Sequence, residues 1–206
     1  MQTLFDIPPT KSALLELQDK VTFLLEGYQL LEHKRELLTR LVYEKLEQYR
    51  SLKKNAEESL QSAYQCLSIT HMRMGGSRLQ QLALGMPVGL EASILPRRNM
   101  GVQYPSVAIK KLPLQPVGIL GTDASLDETR TSFANMAQSM ARLAEVETAL
   151  WRLLEEQRKT QKRVNALKNN VIPRYQRTIK FIKNSLEEEE RNTLFQIKVL
   201  QAKQSW

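Results

Sequence analysis

The chain has 206 residues, a formal net charge of +8 and an isoelectric point near 9.6. Its single cysteine, Cys66, excludes an internal disulfide and favours a reducing compartment. No apolar run reaches the roughly eighteen residues of a membrane span, and the opening residues lack the basic head and apolar core of a signal peptide. We therefore expect a soluble chain with at most a peripheral relation to a membrane.

The first 74 residues predict an extended lead followed by one long helix. Pro8 and Pro9 disfavour helix in residues 1–9, and residues 10–74 contain no proline and one glycine, Gly27. Thr10 or Ser12 is suited to cap this helix. Its apolar residues follow a heptad spacing that predicts a coiled coil, broken only where polar residues stand. The seam is Leu14, Leu17, Val21, Leu24, Tyr28, Leu31, Arg35, Leu38, Val42, Lys45, Tyr49, Leu52, Ala56, Ser59, Ala63 and Cys66.

More apolar residues lie on this helix than one antiparallel partner can cover. Two readings are open, a docking surface for another protein or a stutter in the seam. The surplus residues are Leu15, Phe23, Leu25, Leu30, Leu37, Leu41, Tyr43 and Leu46.

The middle of the chain, residues 75–124, has a different composition. It holds seven of the eight glycines and five of the eight prolines, which exclude a long helix. Gly75 and Gly76 fit the left-handed position after a helix. We predict an irregular head that can form one β-hairpin, with strands at 102–104 and 106–109 and with turns at Pro96, Pro105, Pro113 and Pro116.

Residues 125–204 predict a second long helix, opened by a capping box of Ser125 and Glu128. Its predicted seam is Phe133, Met136, Met140, Leu143, Glu147, Leu150, Leu154, then Val164, Leu167, Val171, Tyr175, Thr178, Ile182 and Leu186. We expect looser pairing through the polar stretch 155–163 and a kink without a break at Pro173. The last stripe, Leu194, Ile197 and Leu200, is expected to pair with the first turns of the first helix.

Together these elements predict an all-α fold, a long antiparallel two-helix coiled coil with a small irregular or β-hairpin head in the middle of the chain. Such a fold offers little concave core in which to bury a substrate.

The sequence contains no signal for catalysis, a cofactor or a metal. Phosphate-loop, dinucleotide and zinc-protease motifs are absent, and His33 and His71 stand without ligand partners, as surface histidines of a helix do. The basic charge raises nucleic acid as a partner. However, acidic residues alternate with the basic ones, as in Glu32, Lys34, Arg35 and Glu36, which is typical of a solvated helix face.

One run carries a more specific signal. The sequence RVNALKNNVIPRYQRTIKFI, residues 163–182, resembles the signature of the D subunit of V/A-type rotary ATPases, with an R-V-N-A-L element followed by I-P and T-I-x-[FY]-I. The openings P-T-K-S-A-L-L-E-L (residues 9–17) and K-R-E-L-L (34–38) are similar to the same family, as is the segment 143–153. The matching signature residues are Arg163, Asn165, Leu167, Ile172, Pro173, Thr178 and Ile179.

The resemblance implies a non-catalytic central rotor shaft, cytoplasmic and peripheral to the membrane. Its implied partners are the hexamer of nucleotide-binding A and B subunits, a small stalk protein (the F subunit) and an adapter on the membrane ring, with protons or sodium ions as the transported ion. We expect a ring-contacting tip of Lys11, Leu14, Lys20, Val21, Leu194, Ile197 and Leu200. We expect an adapter contact at Arg97, Arg98, Lys110 and Lys111. The alternative is a structural scaffold or tether without energy coupling, since periodicity alone does not separate the two.

Overall fold

The structure is a computed structural model that describes residues 7–113, 115–116 and 121–204. It is mostly helical with one two-stranded antiparallel sheet in the middle, which confirms the predicted fold class. The elements are α1 (Lys11–Met74), α2 (Gly76–Leu84), β1 (Leu90–Asn99), β2 (Val102–Lys111), α3 (Ala124–Ala166), a π-helical segment (Leu167–Val171) and α4 (Ile172–Gln204). Among the described residues, no helix is long and apolar enough to span a bilayer.

The chain forms two compact units. The first comprises residues 1–37 and 157–206, and the second comprises residues 38–156. The heptad seam predicted for α1 is confirmed in both, because each of its positions is buried or half-buried.

The first unit pairs the start of α1 with the end of α3, the π-helical segment and α4. The amide of Ala13 donates to Thr10 Oγ1 at 3.2 Å, so Thr10 provides the predicted cap. Lys11 contacts Glu190, and Arg35 contacts Gln161, so α1 runs antiparallel to its partner. The interior contains Leu17, Val21, Val164, Ile172 and Ile182, together with the buried hydroxyls of Thr160 and Thr178.

In the polar stretch before Val164, Thr160 is only 1% exposed and Gln161 is half-buried, whereas Glu155, Arg158 and Lys159 are exposed. Thr160 therefore belongs to the buried side of the helix, and the looser pairing expected for the rest of the stretch stays a prediction.

Pro173 is accommodated by a π-helical turn. The amide of Ile172 donates to the Leu167 carbonyl, five residues back, and helix continues on both sides. A proline removes one amide and clashes with the carbonyl four residues earlier, and a wider turn relieves both. The chain is thus unbroken at Pro173, as predicted.

The second unit pairs the rest of α1 with α3. Thr70 Oγ1 lies 2.7 Å from Thr129 Oγ1, and the rings of Tyr64 and Phe133 meet edge to face with centroids 5.9 Å apart. Gly75 takes a φ of 79°, which ends α1 where the sequence predicted.

Two predictions for α3 are wrong. Ser125 does not cap the helix, which begins at Ala124. Its hydroxyl instead donates to Asp123 Oδ2 at 2.7 Å. Met140 and Glu147 are exposed, whereas Ala149 and Leu153 are buried. The buried face of α3 is displaced because it contacts the hairpin as well as α1.

The hairpin lies along α3 through its second strand. Val102 packs in a cluster with Leu38 and Leu153, and Lys111 Nζ donates to Asn135 Oδ1 at 2.6 Å. β2 therefore runs opposite to α3. From Val102 to Lys111 the strand rises over nine residues, and from Asn135 to Leu153 the helix rises over eighteen. Both distances are about 30 Å, so β2 can follow α3 over its whole length.

The turn of the hairpin is Met100-Gly101, with φ values of 50° and 80°, and not any of the predicted prolines. Pro96 and Pro105 lie opposite each other within the strands. The amide of Val107 points away from β1, towards Glu145, and alternation gives position 105 the same outward direction. Proline fits there because that position donates no bond to the other strand.

Candidate interaction surfaces

The end of α4 is apolar and uncovered. Successive residues of an α-helix are rotated by about 100°, so five nearby apolar residues point in all directions around the axis. Their exposed fractions are 60% for Leu194, 68% for Phe195, 45% for Ile197, 39% for Val199 and 62% for Leu200. A helix with apolar residues on every side is normally enclosed, and here Gln196 and Lys198 are the only polar residues between them. This surface, residues 194–200, is called the α4 end below.

The expected pairing of the α4 end with α1 is wrong. α1 begins at Lys11, whose Nζ lies 2.8 Å from Glu190 Oε1. α1 has no further turns with which to cover Leu194, Ile197 and Leu200, and all three are exposed.

The other predicted tip residues divide between surface and interior. Lys11 and Lys20 are exposed and ion-paired, Lys20 with Glu16 at 2.5 Å. The hydrogen bond to Glu190, and then its charge, raise the pKa of Lys11, and the same contact lowers the pKa of Glu190. Leu14 is half-buried and Val21 is 9% exposed, so both lie in the seam.

Most signature residues face the interior of the first unit. Ile172 and Thr178 are buried, and Leu167, Pro173 and Ile179 are half-buried. Thr178 Oγ1 donates to the Arg174 carbonyl at 3.0 Å.

Arg163 and Asn165 are the outward members of the signature. Asn165 Oδ1 accepts from Gln161 Nε2 at 2.9 Å, and Gln161 Oε1 accepts from Arg35 Nη1 at 3.2 Å. Asn165 thus extends a polar link between α1 and α3 within the first unit.

The predicted adapter residues do not form one patch. Arg97 and Arg98 lie beside the hairpin turn, and Lys110 and Lys111 lie at the opposite end of the strands, about 23 Å away. All four are exposed.

Glu145 connects α3 to β2, a contact that the sequence did not predict. Its carboxylate accepts from Ser106 Oγ at 3.1 Å and from the Val107 amide at 3.2 Å. The residue stands in the segment 143–153 that resembles the family, but nothing in its spacing indicates a bond to a strand.

The second unit also has a groove of about 460 Å³ between the segment 86–90 and the α3 residues Phe133 and Met136. Its wall is fixed by Arg130, whose Nη2 donates to the Gln115 carbonyl at 3.0 Å. The lining is mostly apolar and brings no acid, base and nucleophile together. Among the described residues, no group of three or more His, Cys, Asp or Glu is placed to hold a metal ion.

Comparison with known proteins gives a consistent result. The family model described as the D subunit of ATP synthase matches residues 13–202. The D subunit of the V-type ATP synthase of Thermotoga neapolitana is 33% identical over 198 residues, covering 96% of this chain and 98% of that protein. The D subunit of the A-type ATP synthase of Pyrococcus furiosus is 31% identical over 206 residues, covering 98% and 96%. The chain therefore belongs to the family of ATP synthase D subunits.

Proposed function

We propose that this chain is the central rotor shaft of a V/A-type ATP synthase or ATPase. In this role it couples ATP synthesis or hydrolysis in a hexamer of nucleotide-binding A and B subunits to proton or sodium transport through a membrane ring. Family membership supports the assignment, since the relatives are named as D subunits of V-type and A-type ATP synthases. The shaft is a non-catalytic component, peripheral to the membrane.

The observation that carries the proposal is the α4 end. Its apolar side chains point in every direction and are 39% to 68% exposed, which is costly in water unless a partner surrounds the helix. A ring of subunits is such a partner, whereas a scaffold that docks along one face needs only one apolar side. Lys11 and Glu190 would then lie within the part that the ring contacts, next to the α4 end.

Coupling requires that the shaft affects the members of the ring unequally. A pair of helices with different side chains on each side presents a different surface to each member of the ring. Each orientation then favours a different nucleotide state, so rotation becomes a sequence of affinity changes. We assign the ring contact to Lys11, Lys20 and the α4 end, with Leu14 and Val21 acting indirectly through the seam.

The remaining partners follow from the same role. The small stalk F subunit and an adapter on the membrane ring would bind outside the enclosed part. Of the four basic residues proposed for the adapter, Lys110 and Lys111 form one separate pair and Arg97 and Arg98 another. The two pairs should therefore be tested separately.

The test is a reconstituted complex in which ATP hydrolysis, rotation and ion transport are measured together. Replacing Leu194, Ile197 and Leu200 by Gln keeps helix length and propensity but removes the apolar surface. We expect ATP hydrolysis to continue while torque and transport per ATP fall at least about tenfold, because rotation is then no longer tied to the nucleotide state of the ring. Removal of residues 194–206 should have the same effect or a larger one.

The matched control is replacement of Leu84, Val88 and Leu95 by Gln. These residues are exposed to 86%, 74% and 61% and lie in the second unit. Undiminished torque and transport after the α4 substitutions would contradict the proposed placement. A chain that assembles with its partners but never rotates would support the scaffold instead.

A further inference from the structure

A second apolar stripe follows the outer side of α1 in the first unit. Phe23, Leu30 and Leu37 are exposed to 74%, 70% and 43%, although they repeat at the seven-residue spacing of a coiled-coil seam. Their heptad phase places them opposite the seam positions Val21, Tyr28 and Arg35, which are buried or half-buried. We call Phe23, Leu30 and Leu37 the outer stripe.

Gly27 gives the outer stripe an unusual shape. A glycine inside a helix costs about 1 kcal/mol relative to alanine, and a Cβ built on Gly27 would meet no atom within 4 Å. The packing of this chain therefore gives no reason for the missing side chain. Between Phe23 and Leu30, Gly27 leaves a notch that a side chain from another helix can fill.

The residues beside the outer stripe are arranged so that the surface complements itself. Glu26 and His33 flank it on one side, and Gly27 and Lys34 flank it on the other. When two such helices pair antiparallel, equal sides face each other. Glu26 then meets His33 of a second copy, and Lys34 of that copy lies over the Gly27 notch. Parallel pairing would instead set unequal sides against each other, with Glu26 beside Gly27 and His33 beside Lys34 of the second copy, and would give Glu26 no basic partner.

We propose that the outer stripe is a self-association surface, on which a second copy of this chain docks antiparallel about a twofold axis at Leu30. Phe23 then packs on Leu37 of the second copy, and Leu30 packs on its own equivalent. The pairing is a property of the unassembled chain and does not depend on its role as a rotor. A contact two heptads long buries less than the roughly 1,200 Å² of a typical stable complex, so the dimer is weak and concentration-dependent.

The first test is sedimentation of the full chain over a concentration series that reaches the high micromolar range. We expect a monomer at low concentration and a dimer at high concentration. Leu30→Glu, which places two carboxylates at the twofold axis, should weaken dimerisation at least about tenfold. Two equally exposed leucines provide controls, because Leu95→Glu and Leu194→Glu should leave dimerisation unchanged.

The second test fixes the orientation by disulfide formation, with Cys66→Ala as background. Leu30→Cys should cross-link to itself. A mixture of Phe23→Cys and Leu37→Cys chains should cross-link, whereas Phe23→Cys alone should not, because a disulfide requires Cα atoms within about 7 Å.

Three results would overturn the proposal. A chain that stays monomeric at every concentration has no self-association surface. A dimer that resists Leu30→Glu but is lost with Leu95→Glu or Leu194→Glu uses another surface. Self-cross-linking of Phe23→Cys would show parallel pairing.

Discussion

The two units hold their helix pairs together with different polar chemistry. The first unit links α1 to its partner through charged or amide side chains, namely Lys11 with Glu190 and Arg35 with Gln161. The second unit also has an exposed ion pair, Arg73 with Asp123, but it adds buried hydroxyls, Thr70 with Thr129, which are 0% and 5% exposed. Buried uncharged bonds fix a register and are insensitive to salt, whereas exposed ion pairs contribute little and are screened.

The comparison extends to what each unit leaves uncovered. In the second unit, α3 is covered on an additional side by β2, through Val102 and Glu145. In the first unit, the α4 end and the outer stripe of α1 remain exposed. The second unit exposes apolar side chains too, among them Leu84, Val88 and Leu95, so the difference lies in the cover that β2 gives α3 and not in the amount of exposed apolar surface.

The largest expected effect concerns the hairpin contact that only the second unit has. Glu145→Ala removes both acceptors for Ser106 Oγ and the Val107 amide. Hydrogen bonds to a charged group contribute about 1.5 to 3 kcal/mol, so the opening free energy of the hairpin should fall by about 2 to 3 kcal/mol. Hydrogen exchange at the Val107 amide measures this directly.

Glu147→Ala is the matched control, since Glu147 is two residues further along α3 and exposed. Equal protection of Val107 in both variants would mean that Val102 and Tyr104 alone hold the hairpin in place.

This contact also marks the limit of sequence reading. The seam of α1 was predictable because a heptad pattern fixes which side of a helix is buried. The position of the hairpin was not predictable from the sequence. A two-stranded ribbon has two faces and two edges, and a few contacts such as that of Glu145 decide which of them packs against a helix. The prolines misled for a related reason, since Pro96 and Pro105 look like turn residues but occupy outward-facing strand positions.

The α4 end is a second place where the sequence pattern predicted the wrong packing. Leu194, Ile197 and Leu200 follow a seam spacing, and this suggested a partner within the chain. Phe195 and Val199 lie on other sides of the helix, and that feature, visible in the sequence, is the basis for proposing an enclosing partner. Periodicity identifies one apolar side and does not test whether the others are polar.

The second-largest expected effect concerns the buried hydroxyl pair of Thr70 and Thr129. Thr70→Val removes the hydroxyl that bonds Thr129 Oγ1 and the Ser125 carbonyl across the buried interface, and should lower the free energy of unfolding by about 1 to 2 kcal/mol. Replacing both threonines by valine should cost less than the sum of the single changes, because either single change already removes the bond that the two hydroxyls share.

Denaturant unfolding of the two single variants and the double variant gives this coupling. Thr148→Val is the control, because its hydroxyl bonds within its own helix, to the Ala144 carbonyl. Fully additive losses would show that Thr70 and Thr129 act separately and do not fix the register of the second unit.

The smallest effect belongs to the exposed ion pair of the first unit. The hydrogen bond with Lys11 lowers the pKa of Glu190. The contribution of the Glu190 carboxylate to stability is therefore complete above the ordinary carboxyl pKa and is lost as the pH falls through the lowered pKa. The same bond raises the pKa of Lys11, whose contribution is present below the ordinary lysine pKa and is lost as pH rises through the raised value. At neutral pH both contributions are complete.

Lys11→Gln and Glu190→Gln should therefore each remove the same small increment at neutral pH, and added salt should abolish the difference from the unchanged chain. Thermal unfolding at low and high ionic strength measures it, with Lys20→Gln as a control for a pair that lies within one helix. A loss that persists in high salt would mean that Lys11 acts through its alkyl chain, packed over the groove it shares with Leu186 and Leu194. In that case the first unit would depend on apolar packing at its end, and the contrast with the second unit would be one of burial rather than of charge.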